Sequence, residues 1–269
     1  MTTKSKALYY GCAGCAVVLF LFVALVGGGI GYITYQGYQF GKEIGSTYQN
    51  LVTDYQQLDQ KYAFTPPPEG ILDKNRLDAF LNVRAQLAEF AKTYQDNIGK
   101  IGDSIGQQFD KPGIISKIRG ISKIRELVDV AAKIGAGIGQ EHIRLLNDQA
   151  MSIQEYRWYT QICLGTLSKS KENQFEPGVK CWDEYLKKFD TARAQFKDMH
   201  INMGDQGFHG GEMNQAHLLD KLTAVPYLPQ NAEILQPALE RFLPADSVTV
   251  LDFLTLHYDE IFEHFAKGK

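Results

Sequence analysis

Ala16-Val17-Val18-Leu19-Phe20-Leu21-Phe22-Val23-Ala24-Leu25-Val26 is the densest part of a run, Ala7 to Phe40, that holds no charged residue. A bilayer core of about 30 Å is crossed by roughly 20 apolar residues in a helix. Tyr9 to Ile33 supplies that length, with Tyr9 and Tyr10 at one end and Tyr32 and Tyr35 at the other. Those tyrosines stand where aromatic side chains meet the two membrane interfaces. The reading is a single membrane-spanning helix over residues 9–35, a tail over 1–8, and the bulk of the chain on one side of the bilayer.

Lys4 and Lys6 precede the span, whereas Lys42 after it is followed at once by Glu43. Positive charge beside a span stays cytoplasmic, so the expected orientation is N-terminus inside and remainder outside. A cleaved signal peptide is the rival reading, with its apolar core at Cys15 to Val26. The uncharged character continues through Ile30, Tyr32 and Ile33, which a cleaved signal does not require, so a retained anchor in the cell (inner) membrane is expected. Cys12 and Cys15 lie before the apolar run, the wrong place for a bacterial lipid-attachment cysteine, and read best as small residues on a helix surface.

The outer part is long enough for one sizeable core. Hydrophobic content of 44% and charged content of 22% are those of an ordinary folded protein. The net charge of −3 includes Lys4 and Lys6 ahead of the span, so the outer part is more acidic still. Nothing in this balance fits a nucleic-acid binder.

Gly37, Gly41 and Gly45 recur at spacing four, a candidate helix-association face. Ile44, Tyr48, Leu51, Tyr55, Leu58 and Tyr62 then fall on one helical face, so residues 36–63 read as a membrane-proximal helix or stalk. Pro66, Pro67 and Pro68 end it, and 64–72 is a proline-rich turn. Asp73 is the expected N-cap of a second amphipathic helix carrying Leu77, Phe80, Leu81, Arg84, Leu87, Phe90, Ala91 and Tyr94. Residues 73–269 form the remaining helical domain.

The pattern Tyr62-x-Phe64-x-Pro66-Pro67-x-x-Gly70-x-Leu72, with Arg76, Phe80-Leu81 and Val83-Arg84 after it, resembles that of uncharacterised bacterial membrane-anchored helical proteins. The resemblance implies a bacterial source and a helical domain; it carries no activity.

Residues 98–139 are rich in glycine and isoleucine. Ile118, Ile121, Val128, Ala131, Ile134 and Ile138 form a stripe beside Lys117, Arg119, Lys123 and Arg125. A basic amphipathic helix of this kind can lie on a membrane, and a membrane-perturbing role for 98–139 is one alternative function. Close packing in a bundle is the plainer reading. The stripe runs on through Leu145, Ala150 and Ile153 to Tyr156, Tyr159 and Ile162 without a proline, so one long helix over Ile114–Leu164 is expected, with Gly135 to Gly139 as the place where it could bend. Ser168 to Gly178 is the turn into a helix carrying Trp182, Tyr185, Leu186, Phe189 and Phe196, which should pack antiparallel on the one before. Cys163 and Cys181 flank that turn and, outside the cytoplasm, are a candidate disulfide.

His200, Met203, His209, Met213 and His217 gather in a glycine-rich stretch. Imidazole with thioether sulfur suits copper, which makes them the candidate metal ligands and a ligand- or metal-handling module using the loop 200–217 the first alternative function, ahead of the membrane-perturbing one. Their spacing matches no standard site. Pro226, Pro229 and Pro237 predict a loop around Asn231 to Gln236, then a short helix over Pro237–Phe242 stopped by Pro244. A last helix begins at Asp246 or Ser247. His257, Glu260 and His264 share one of its faces, which reads as solvated. No GxSxG, Walker or HExxH motif is present, and Gly135-x-Gly137-x-Gly139 lies in a helical pattern rather than after a strand.

The whole is an all-α chain: one transmembrane helix, then an extracytoplasmic bundle with long antiparallel helices. Its expected role is structural or interactive in the cell envelope. No catalysis and no cofactor are expected. The expected partners are the lipid bilayer and other envelope proteins or itself.

Overall fold

The computed structural model describes residues 50–109, 137–194, 215–243, 252 and 255–257; for 94–109 and 192–194 it describes the backbone alone. Every regular element among them is helical. The expected span, the Gly37/Gly41/Gly45 face, the basic part of 98–139 and His200, Met203, His209 and Met213 lie outside the described residues.

Helix α1 (50–61) buries Leu51, Tyr55 and Leu58 at the spacing read from sequence. The three prolines follow it, and the chain turns at Gly70, whose amide donates to the Pro67 carbonyl at 2.9 Å and whose φ is +68°. Only glycine takes that conformation without steric cost. The turn is fastened from far along the chain. The buried side chain of Asn231 accepts from the Leu72 amide (2.9 Å) and donates to the Gly70 carbonyl (3.0 Å).

Helix α2 (Lys74–Phe109) starts where expected: the Asp73 carboxylate accepts from the Arg76 amide at 2.8 Å. Its 36 residues span about 54 Å. The buried stripe is Leu77, Phe80, Leu81, Arg84, Leu87 and Ala91, with Val83 and Ala88 widening it.

The single long helix over Ile114–Leu164 is not what forms. Helix α3 (137–148) ends, the chain turns at 149–152, and helix α4 (Ile153–Ser168) begins. The cause is local. Ser152 caps α4, its hydroxyl accepting from the Glu155 amide at 3.0 Å, the first half of a Ser-x-x-Glu capping box. Ala150 sits at φ 46°, a left-handed conformation costing a non-glycine residue about 1–2 kcal/mol. Arg76 offsets that cost. Its guanidinium donates to the Gln149 and Ala150 carbonyls (3.0 and 3.1 Å) and, through two bonds of 2.6 Å, to Glu155. The apolar stripe crosses this break in register, so periodicity alone cannot show it.

Helix α4 is the centre of the fold and packs on α2, α5, α6 and α7. Helix α5 (Glu176–Ala194) follows a turn through Gln174, with Tyr185 and Phe189 fully buried. The turn is shorter than expected, since Pro177 and Gly178 already belong to α5. Helix α6 (Gln215–Thr223) buries Leu218 and Leu222. Lys169 caps its end, donating to the Thr223 carbonyl at 3.0 Å and to the Val225 carbonyl. Gly165 of α4 lets Val225 approach: a methyl placed there would meet Val225 at 2.6 Å.

The predicted loop over Asn231–Gln236 is instead helix α7 (Pro229–Leu235), with Pro229 in the first turn, where a missing amide hydrogen costs nothing. A 3-10 turn over Gln236–Ala238 leads into the short α8 (Leu239–Phe242).

Residue contacts fix the direction of the first three helices. Leu51 lies against Gly139, Tyr55 bonds His142, and Tyr62 bonds Asn147. α1 and α3 therefore run parallel. α2 starts beside the end of α3, where Arg76 reaches Gln149, and its Phe80 packs on the same Tyr156 ring that His142 touches. It runs back toward the end at which residues 50 and 137 lie.

Candidate functional site: a buried polar centre

Arg84 projects from α2 into the middle of the core and is 1% exposed. A lone guanidinium there would be prohibitively costly to desolvate. Its partner is Asp252, which is fully buried and receives two hydrogen bonds, one to each carboxylate oxygen, the second at 3.0 Å. A third bond goes to the Phe242 carbonyl at 3.4 Å. Phe242 and Phe80 lie against the guanidinium at 4.5 and 5.3 Å from ring centroid to central carbon. Their faces attract the cation where water is excluded. Burial works against the charge, but the Asp252 carboxylate more than offsets it and drives the Arg84 pKa above its ordinary value.

Two phenols complete the centre. Tyr156 of α4 and Tyr185 of α5 are fully buried, and their hydroxyls face Arg84 and Asp252 without reaching full hydrogen-bond geometry. Burial pushes both pKa values well up. Arg84 Nε is likewise without an acceptor. More polar hydrogens converge here than one carboxylate satisfies.

A second polar group lies one helix away. His142 is held between Tyr55 and Tyr156, edge-on to both rings at 5.8 and 4.7 Å. Its Nδ1 is 3.0 Å from the Tyr55 hydroxyl, and its Nε2 has no partner. Burial pushes its pKa down to about 3, so the ring is neutral.

The expected disulfide is not formed: Cys163 and Cys181 are free thiols, both buried. They sit on the neighbouring helices α4 and α5, as the hairpin requires, but within apolar surroundings. Burial pushes Cys163 far up and Cys181 to about 11, so neither is a thiolate at neutral pH. Of the candidate metal ligands, His217 alone is described, on an exposed face of α6. Among the described residues no three His, Cys, Asp or Glu side chains are placed to share a metal ion. Also among the described residues, no helix is long and apolar enough to cross a membrane.

In the sequence Arg84 stands on the apolar stripe of α2, and nothing beside Asp252 marks that carboxylate as its partner. A cation at a core position is the available signal, because it demands a buried carboxylate elsewhere. Which carboxylate answers is a tertiary fact, since the two residues are 168 positions apart.

Comparison with family models, with characterised proteins and with solved structures finds no match to this chain. The functional reading therefore rests on the residues themselves.

Proposed function

We propose that this chain is a membrane-tethered, extracytoplasmic helical protein with a structural or protein-interaction role in the cell envelope, and that it is not an enzyme. The uncharged run Ala7–Phe40 supports the tether. The single observation that carries the reading is the packing of α1. The helix nearest that run is not a loose linker but part of the core, through Leu51, Tyr55 and Leu58.

The parallel course of α1 and α3, with α2 returning toward the same end, favours that end as the one facing the bilayer. The buried polar centre fits a role in fixing how helices join rather than in turnover. Its thiols and phenols are held protonated, and its charges are paired. Envelope proteins or a second copy remain the proposed partners, beside the lipid bilayer. A reporter enzyme fused after Lys269 tests the placement: activity restricted to the extracytoplasmic side supports it, and activity in the cytoplasm overturns it.

A further inference from the structure

His142 of α3 stands where three helices meet. Tyr55 of α1 and Tyr156 of α4 close on its ring. Nδ1 has the Tyr55 hydroxyl at 3.0 Å, whereas Nε2 is buried without a partner. The titratable groups facing the ring are thus two phenols. Charged side chains on the surrounding helices are engaged elsewhere. Glu141 and Asp148 of α3 pair with Arg144, and Glu155 of α4 pairs with Arg76 of α2. Asp59 of α1 accepts from the Gln154 amide, Lys61 donates to Asn147, and Arg84 and Asp252 hold each other. Among the described residues no carboxylate or cation acts on His142. A proton on the ring would leave a buried charge without a counter-ion and an Nε2–H donor without an acceptor.

The two walls differ in how firmly they are held. α4 buries eleven residues at the centre of the fold. α1 is anchored by three core side chains, Leu51, Tyr55 and Leu58, and by hydrogen bonds that water reaches, from Lys61 and Tyr62 to Asn147 and from the Gln154 amide to Asp59. An element with few buried apolar contacts and exposed hydrogen bonds opens at low free energy. The start of α2 is held without α1: Asn231 fastens Gly70 and Leu72, and Asp73 caps the helix. α1 can therefore lift about the proline-rich turn while α2 and α4 keep their places. Lifting it removes the Tyr55 wall and lets water reach the imidazole. We infer that His142 is a proton-operated latch: the uncharged ring holds α1 down, and protonation opens the α1–α3 contact while the bundle around α4 stays folded. The inference concerns the packing of α1 and is independent of where the membrane lies.

The test is hydrogen exchange of the full chain in detergent micelles, read by mass spectrometry as protection factors at several urea concentrations, at pH 7.5 and at pH 5. Once α1 is open the imidazole takes up its proton as an ordinary histidine does, so the opening equilibrium should rise about thirtyfold between the two pH values. Amides of 50–61 should exchange through an opening with little urea dependence, and their protection should fall by about that factor. Amides of 153–168 should exchange only through an opening with the full urea dependence of unfolding. His142→Phe and His142→Gln each remove the titrating group, and either should keep the local opening and lose its pH response. If 50–61 and 153–168 share one urea dependence in the wild type, α1 leaves only with the whole fold and the inference is overturned. A fall in protection on acidification that survives in the variants overturns it equally.

Discussion

His142 makes the fold lose stability on mild acidification, and the size of the loss follows from its surroundings. In the unfolded chain a histidine takes up a proton near its ordinary pKa of 6.5, whereas in the fold burial holds that value at about 3. Between these limits the unfolded state binds more protons than the native state, so stability rises with pH. The contribution is fully present above about pH 6.5 and is lost progressively as pH falls toward 3. From about pH 7.5 to pH 5 the linkage integral gives a loss of about 2 kcal/mol from this one ring. The assay is urea unfolding of the full chain in detergent at several pH values, followed by circular dichroism, for the wild type and His142→Phe. Phenylalanine keeps a ring between Tyr55 and Tyr156 and removes the titration. Carboxylates elsewhere titrate equally in both proteins, so the difference between the two curves isolates the histidine. The two proteins should differ by about 2 kcal/mol more at pH 7.5 than at pH 5, the wild type losing more on acidification. Parallel curves would refute the claim that His142 is buried and neutral.

Other outcomes follow from packing. Phe189→Ala should cost roughly 3–5 kcal/mol, since the ring is fully buried, whereas Leu219→Ala on the exposed face of α6 should cost under about 0.5; thermal melts distinguish them. Gly165→Ala should cost about 1–3 kcal/mol by pressing on Val225, and adding Val225→Ala should recover part of it, read by the same melts. Cys163 and Cys181 should resist alkylation in the native protein and react together on unfolding; peptide mapping without reductant that recovers them linked would contradict the structure.

Where the fold was legible in sequence, it was because a single helix carried its own signal. The stripes Leu51-Tyr55-Leu58 and Leu77-Phe80-Leu81-Leu87 are the buried faces of α1 and α2, and Asp73 caps the helix it was expected to cap. The errors share a physical origin. At 149–152 the apolar stripe stays in phase across a break, and the deciding information was the Ser152-Ile153-Gln154-Glu155 cap together with an arginine seventy-odd positions earlier. At Pro229 a proline that reads as a breaker is an initiator, because a first-turn residue needs no amide hydrogen. The polar centre was half visible. Arg84 at a core position announced a buried charge, but nothing near it in sequence names Asp252, Tyr185 or Phe242. Cys163 and Cys181 were rightly placed on adjoining helices, and spacing alone does not decide whether neighbouring thiols bond.

The proposed tether is tested most directly by labelling intact cells. Lys171 is exposed in the turn between α4 and α5, and the native thiols Cys163 and Cys181 are buried. A Lys171→Cys chain expressed in a bacterial host should react with a membrane-impermeant maleimide without lysis, while the parent chain should not. It should also remain with the membrane after alkaline extraction. Labelling of Lys171→Cys only after the membrane is breached, or release of the chain by alkali, would contradict the account.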